Sequence, residues 1–498
     1  GTWMNEVGAG WLMTDLSDSP LMVASVQAAT TLPVFLFAVL AGAIADIVDR
    51  RRLLLIVNLM LAGVAALLAL LVSIERITPL LLLVFTFLLG TGAAFIAPAW
   101  QAIVPRLVPR PELPAAIALN SMGINVSRAI GPALAGLLIV AVGIWSPFAL
   151  NAFSFLVILA ALLWWKPEAV AGSRLRPESI PRAISAGLRY VMNSGPVRST
   201  LIRAAAFFVF ASAYWAMLPL IAREVLAGGP SLYGILLAAV GAGAVTGAIV
   251  LPKLRKLLGP DALVASGTAG TALVLLALVF VPSPAFAVAA SALAGVCWIA
   301  VLSSLHVSTQ MSLPDWVRAR GLSIFLTVFF GSMTAGSLIW GSVAENYSIS
   351  TALLAAAVGA LLLIPLTWRA RLGSAGDLDL TPSMHWPEPV PAHEDDDSAG
   401  PVMIRIEYQI REEDKTAFVE AMKQLAQARG RGGAYGWSLM RDIEASESWA
   451  ESWLEVSWLD HLRHHERVSE ADRAIEKAAK AFHQGDEAPT VQHLIIDQ

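Results

Sequence analysis

Long apolar runs, separated by short polar or charged gaps, fill the chain from residue 21 to residue 368. Each run is close to the ~20 residues that an α-helix needs to cross a bilayer. Turn residues and charges in the gaps predict spans near 21–45, 53–73, 80–103, 115–141 and 146–165. A second set is expected near 199–222, 231–252, 261–281, 286–308, 321–344 and 349–368. The opening "GTWMNEVGAGWLM" has 13 residues and is too short to span. It reads as the second half of a first helix whose beginning is missing from this sequence, which makes twelve.

Past residue 368 the pattern changes. Residues 369–400 read as a linker, with prolines and an acidic run at Glu394–Asp397. "VMIRIEYQI" then alternates as a strand, and "EEDKTAFVEAMKQLAQAR" has helical spacing. "AYGWSLMRDI" and "SWAESWLEVSW" alternate again, "LDHLRHHERVSEADRAIEKAAKAF" is helical, and "TVQHLIID" is a last strand. The order βαββαβ is ferredoxin-like. The expected fold is an all-α polytopic membrane protein with 12 transmembrane helices in two six-helix halves, plus a small α+β ferredoxin-like domain. The expected boundaries are 1–165 and 199–368 for the halves, 166–198 for a basic loop, 369–400 for the linker and 401–498 for the soluble domain.

Composition agrees with this division. The chain is 56% hydrophobic and 14% charged, with a mean hydropathy of +0.66, too apolar for the surface of a soluble protein of 498 residues. The charge is concentrated in the tail, where residues 401–498 hold 12 Lys/Arg and 18 Asp/Glu. Between spans, Lys and Arg alternate by side. The connections on the side of 46–52 carry 18 of them, including Arg50, Arg51, Arg52, Lys253, Arg255 and Lys256. The other side carries only Arg76 and Arg223. By the positive-inside rule the basic side and the tail are cytoplasmic. One wrong span would scramble the alternation. Cys297 is the lone cysteine, so no intrachain disulfide forms.

The halves echo one another. "QAIVPRLV" at 101–108 and "QMSLPDWV" at 310–317 share Gln-x3-Pro-x2-Val. "GAIADIVDRRR" at 42 has a counterpart in "GAIVLPKLRK" at 247, and Gly131-x4-Gly136 recurs as Gly336-x4-Gly341, both at an offset of 205. A duplicated six-helix unit of this kind places a substrate site between halves that rock about it.

These residues resemble the major facilitator superfamily. Its loop signature after the second helix, Gly-x3-Asp-(Arg/Lys)-x-Gly-x-(Arg/Lys)-(Arg/Lys), is met by Gly42, Asp46, Arg51 and Arg52, with departures at Ile47 and Asp49. "SRAIGPALAG" at 127–136, with Gly131, Pro132 and Gly136, is similar to the superfamily's fifth-helix exporter signature. "GTWMNEVGAGWLM", "ADIVDRRRLLL" and the stretch 98–136 resemble its bacterial enterobactin-exporter-like efflux branch. "GTGAA" at 90–94 is similar to a further motif, but Thr86 stands where that motif has an arginine. The resemblance implies a gating role for Gly42, Asp46, Arg51, Arg52, Gly131, Pro132 and Gly136. It also implies that the first and fifth helices are neighbours and that the membrane is a bacterial inner membrane. The tail resembles small domains related to antibiotic-biosynthesis monooxygenases, which implies a homodimer contact.

An ionisable group inside a span costs several kcal/mol unless it is paired or wet. Glu6 and Arg128 are such groups and are expected to face one cavity, Glu6 as a proton-linked carboxylate and Arg128 as an anchor for a polar or anionic substrate, or both as a static ion pair. Arg203 and Arg223, near span ends, are expected to snorkel. Asn120, Asn125 and His306 are further polar candidates along the pathway. Tyr214 and Trp215 suit an aromatic cavity or plain packing. In the tail, His461 and His465 are four apart, a spacing that can hold a metal, but no third ligand stands at a convincing spacing, so no metal is expected. No phosphate-binding G-x4-G-K-(S/T) motif occurs, so an ion gradient is the expected energy source. The chain therefore reads as a non-enzymatic secondary exporter of small amphipathic molecules, drug- or siderophore-like. Its partners would be the lipid bilayer, a small-molecule substrate and protons, with no nucleic acid and no cofactor. The alternative is a membrane-anchored sensor acting through its tail.

Overall fold

A computed structural model of the chain describes residues 1–103, 108, 112–165, 180–372, 379–386, 400–485 and 487–496. The chain folds as two compact units.

The first unit is a helical bundle formed by Gly1–Arg176, Leu201–Val307 and Ser323–Arg371. Its helices are α1 (Thr2–Leu16), α2 (Pro20–Ile47), α3 (Arg50–Ser73), α4 (Pro79–Ile103), α5 (Leu113–Val142) and α6 (Ser146–Trp164). A short helix, α7 (Ile180–Asn193), precedes α8 (Gly195–Leu220), α9 (Pro230–Phe280), α10 (Pro284–Met311), α11 (Arg318–Asn346) and α12 (Ile349–Leu366). Among the described residues, 10 helices are long and apolar enough to cross a membrane. The difference from the sequence expectation has two sources. α1 has only 15 residues. And the predicted spans 231–252 and 261–281 are present as two helical arms, which follow one another within Pro230–Phe280 across a non-helical kink at Gly259 (φ 72°, ψ 168°) and so enter the ten as one. That left-handed conformation suits glycine alone, and Pro260 starts the second arm where its missing N–H is not needed.

The helix starts are written locally. Ser19 caps α2 by accepting from Met22 N at 3.2 Å, and Asp49 caps α3 by accepting from Arg52 N at 2.8 Å. Asp49, a departure from the loop signature, therefore has a structural task. The outside of the bundle is apolar, with Leu59, Met60, Leu80 and Leu134 among many exposed large side chains, as lipid contact requires.

The repeated glycines do matching jobs in the two halves. A Cβ on Gly131 would lie 2.9 Å from Trp3 Cβ on α1, the first helix of its own half. A Cβ on Gly336 would lie 2.4 Å from the Val209 carbonyl oxygen on α8, the first helix of the other half. Five residues on, Gly136 meets α9 (2.7 Å to the Pro230 carbonyl oxygen) and Gly341 meets α2 (3.2 Å to Leu21 Cα). Each half thus uses one glycine to seat its own first helix and one to touch the second helix of the opposite half. Small residues at such crossings let backbones approach closely. Gly136→Val is expected to cost about 1–3 kcal/mol of overpacking. It should lower the melting temperature of the detergent-solubilised protein. Gly42→Ala, where a Cβ would meet nothing within 4 Å, should not; equal melting for all three proteins would remove the steric role.

The second unit comprises Pro177–Thr200, Ser308–Leu322 and Leu372–Gln498. Its centre is an antiparallel sheet, order β2-β3-β1-β4, built from β1 (Val402–Gln409), β2 (Tyr435–Arg441), β3 (Ser448–Glu455) and β4 (Val491–Ile495). α13 (Lys415–Gly432), α14 (Trp458–Arg467) and α15 (Glu470–Lys480) complete it. The single predicted helix after β3 is two helices, because Ser469 forms a capping box with Asp472 that starts α15 afresh. The core is Ile404, Ile406, Tyr408, Phe418, Met422 and Trp453, the alternating side of β1 and β3 against the apolar stripe of α13. Two pieces expected to be loop or linker fold onto this unit. α7 packs on α13. Residues 379–386 run beside 468–471, where Ser383 N donates to the Val468 carbonyl at 2.9 Å and Glu470 N to the Thr381 carbonyl at 2.9 Å. Trp316, before α11, lies between Tyr190 (5.9 Å, edge-on) and the Arg467 guanidinium (4.3 Å).

Candidate functional site

α1 lies against α5 and touches α9. Gly131 leaves room for Trp3, and the Arg128 guanidinium, one turn earlier on α5, sits 4.9 Å over the Trp3 ring. Glu6, one turn past Trp3 on α1, is half-buried, between the buried Asn5 and Val7. Its carboxylate acts electrostatically on Arg128 and on Tyr233 of α9. Tyr233 stacks on Trp11 at 6.4 Å. The structure therefore brings the two predicted intramembrane charges into one neighbourhood, and adds Tyr233 from the opposite half, which sequence reasoning did not single out.

The two halves meet closely toward the end of the bundle that is poor in basic residues. There Arg223 pairs with Asp15 and donates to Thr14 Oγ1 at 3.0 Å. Ser19 Oγ donates to Glu345 Oε2 at 2.7 Å, and Leu21 N donates to the same atom at 3.3 Å. Gly136 against α9 and Gly341 against α2 lie on the same side. At mid-depth Thr31 and Thr334 share a hydrogen bond of 2.7 Å, and Phe35 fills the space over Gly331. Toward the basic end the packing loosens. Every residue of α5 from 122 to 127 is exposed, and a Cβ on Gly123 or Gly42 would meet nothing within 4 Å. Arg223, expected to snorkel, is instead one side of an ion pair across the halves. Arg203, the other such arginine, pairs with Asp261 at 2.8 Å. Neither Asp15 nor Glu345 stood out in the sequence, since both fall at predicted span ends where a charge needs no partner.

The C-terminal half adds a wall of aromatic rings at mid-depth, with Trp215, Trp298, Phe329 and Phe330 half-buried in front of the buried Phe208. Trp215 meets Trp298 edge-on at 5.2 Å, Phe208 meets Phe329 at 4.4 Å, and Phe329 meets Phe330 at 4.5 Å. Tyr214 is packed away, 2% exposed, with its hydroxyl donating to Ser291 Oγ at 2.8 Å. Asn120 Oδ1 accepts from Trp100 Nε1 at 3.1 Å, which ties α5 to α4. Asn125 lies on the exposed stretch of α5, and the His306 ring is 5.8 Å from Phe325. Of the signature residues, Arg51 donates to the Leu162 and Leu163 carbonyls at 2.9 and 3.0 Å. It thus satisfies the free carbonyls at the end of α6. Arg52 lends its backbone N–H to the Asp49 cap. The Asp46 side chain lies outside the described residues.

The tail domain has a charged interior. Arg429, 2% exposed, is held between Glu451 (3.3 Å) and Glu476 (2.9 Å) and between the rings of Trp453 (4.4 Å) and Trp386 (5.0 Å). Burial alone would lower the Arg429 pKa, but the two carboxylates raise it above its usual value. Burial likewise pushes the Glu476 carboxyl up, yet Arg429 and Lys480 hold it down to about 2. Glu455 accepts from Trp453 Nε1 at 2.9 Å and lies 2.7 Å from His464 Nδ1. Against its burial, the histidines beside it keep its pKa below the ordinary range. Burial, and after it the neighbouring His461 and His464, push His465 down to about 4. This interior is filled by side chains, with Trp386 from the linker on top.

A family model described as a transmembrane secretion effector matches residues 1–498. The Staphyloferrin A transporter of Staphylococcus aureus is 25% identical over 354 residues, 70% of this chain and 87% of that protein. The Multidrug efflux pump Tap of Mycolicibacterium fortuitum is 24% identical over 377 residues, 73% and 90%. The Enterobactin exporter EntS of Escherichia coli is 25% identical over 297 residues, 57% and 68%. Among solved structures, a mutant of the nucleoside transporter NupG aligns with a TM-score of 0.61 at 14% identity, over 74% of this chain and 95% of that one. That likeness concerns the fold.

Proposed function

The chain belongs to the transmembrane secretion effector family of the major facilitator superfamily, and from that premise we propose that it is a proton-coupled exporter of small amphipathic molecules, siderophore- or drug-like, working by alternating access. The observation that carries this reading is the asymmetry of the bundle. Its halves are clasped at the charge-poor end and loose at the basic end, with Glu6, Arg128 and Tyr233 where the halves meet. With the basic end in the cytoplasm, the bundle stands open to the inside, ready to load cargo for export. The half-polar, half-aromatic surroundings suit a cargo with one polar or anionic end and an apolar body. The relatives that carry staphyloferrin A and enterobactin, or act as drug pumps, support the same class. The tail is cytoplasmic on this orientation, and its exposed edge strand β4, with Val491, Leu494 and Ile495, is the surface for a homodimer contact.

Inverted vesicles containing the protein should accumulate compounds from a panel of siderophores and lipophilic cations when a proton gradient is imposed, and lose the activity when it is collapsed. Absence of gradient-dependent flux for the whole panel would reject the proposal.

The clasp gives a second test. With the outer end clasped, Thr31 is 4% exposed. In a Cys297→Ser background, Thr31→Cys should label slowly from outside the cell. Adding Asp15→Asn and Glu345→Gln should raise that rate several-fold, because both cross-half contacts at the outer end are lost and the outward-open population grows. An unchanged rate would mean the clasp does not hold the gate.

A further inference from the structure

The three-histidine cluster of the tail is not used by any step of transport. His461 and His465 stand four apart on α14, so they share one face of the helix, and their Nε2 atoms are 3.1 Å apart. β4 supplies the third ring. His493 pairs in register with Ile404 of β1, and Ile404 is a core residue, so His493 projects to the face that carries the helices. Its ring centroid is 4.8 Å from that of His461. One ring nitrogen from each of the three lies within 4.8 Å of the others. In a tetrahedral site with metal–nitrogen bonds of ~2.0–2.1 Å, neighbouring nitrogens stand ~3.3 Å apart, so small side-chain rotations close the set.

The surroundings are those of a built site. His461 is 1% exposed, and its Nδ1 faces Glu455 Oε2 at 3.5 Å. A carboxylate behind the far ring nitrogen fixes the tautomer and orientation of a ligating histidine and aims the other nitrogen outward. His464 is a different kind of residue. Its Nδ1 is engaged by Glu455, and its Nε2 abuts Gly432, where a Cβ would come within 1.9 Å. His465 and His493 are partly or fully exposed, which leaves a path for an ion and room for a fourth ligand from solvent.

We propose that His461, His465 and His493 form a binding site for a first-row divalent cation of the zinc type, with Glu455 as the positioning residue for His461. Imidazole donors favour zinc and its first-row neighbours over magnesium or calcium, and a tetrahedral arrangement favours zinc over copper. The site joins α14 to the edge strand β4, so binding would also tie the last strand to the domain.

The full-length protein, purified in detergent and stripped with a chelator, is titrated with Co(II) and then Zn(II). Expected are one equivalent of cobalt with the visible bands of a tetrahedral complex, displacement of those bands by zinc, and ~10- to 100-fold weaker binding in His465→Gln and in His493→Gln. His493 is exposed at a sheet edge, so its variant stays folded, which tail tryptophan fluorescence checks. No tetrahedral cobalt band in the wild type would overturn the proposal. So would a band and an affinity that His493→Gln leaves untouched.

Discussion

Glu6→Gln is expected to abolish concentrative, gradient-driven export, lowering it at least ~10-fold, while downhill exchange of the same compound continues. Glutamine keeps the size and hydrogen-bonding reach of the side chain and removes only its ability to gain and lose a proton. A carboxylate at this depth costs several kcal/mol to maintain, and its charge acts on Arg128 and on Tyr233 of the other half. A proton carried there is felt by both halves at once, which is what coupling requires. Proteoliposomes with and without an imposed pH gradient separate the two activities. The alternative is a static pair that only positions α1 against α5. In that case Glu6→Gln and Arg128→Gln would each destabilise the protein, the double variant would recover stability, and gradient-driven accumulation would survive in it. Persistence of accumulation in Glu6→Gln would remove Glu6 from the proton path.

The bundle was legible in the sequence because lipid imposes a coarse rule. Every crossing segment must be long and apolar, and basic residues mark one side. Where sequence and structure part, a local cause is visible. The two spans predicted on either side of Gly259-Pro260 are the two arms of α9, separated where the non-helical backbone of Gly259 interrupts the helix. α7 was hidden inside a basic stretch, since its polar face is as charged as a loop. The glycine repeat was readable as spacing, but its meaning was not. Only the structure pairs Gly131 with Gly336 and Gly136 with Gly341 by the helix each one seats.

Contacts between distant segments were the least visible. Asp15 and Arg223 are 208 residues apart, and Ser19 and Glu345 are 326 apart, so no pattern along the chain joins them. The metal-ligand spacing His461-x3-His465 was apparent, yet its third member, His493, reaches the set only through the register of β4 on β1. The charged interior of the tail escaped for a related reason. Alternation placed Glu451 and Glu455 on β3, and each would pass for a solvent-facing residue of a half-buried strand. Glu451 is buried against Arg429, one helix away, and Glu455 against Trp453 and His464.

That interior carries the largest expected stability effect. Arg429→Met would leave Glu451 buried without its counter-charge and Glu476 with Lys480 alone. Removing one member of a buried ionic set costs about 3–5 kcal/mol, a large share of the ~5–15 kcal/mol that stabilises a typical domain. The tail should unfold or become protease-sensitive at moderate temperature while the bundle stays intact, a difference that limited proteolysis and tail tryptophan fluorescence resolve. The triple variant Arg429→Met/Glu451→Gln/Glu476→Gln should recover most of the loss, because it removes the charges together. Acid should act in the same direction. Glu476 is held at about 2, below its ordinary 4.5, so it stabilises the folded tail above pH ~4.5, by on the order of 3 kcal/mol. That contribution is lost as the pH falls from ~4.5 through about 2. In Arg429→Met only Lys480 still holds the Glu476 carboxyl down, and the decline with acid should become shallower. A tail of unchanged stability in Arg429→Met, or one with the wild-type acid profile, would show that the arginine is not what holds the Glu476 carboxyl down.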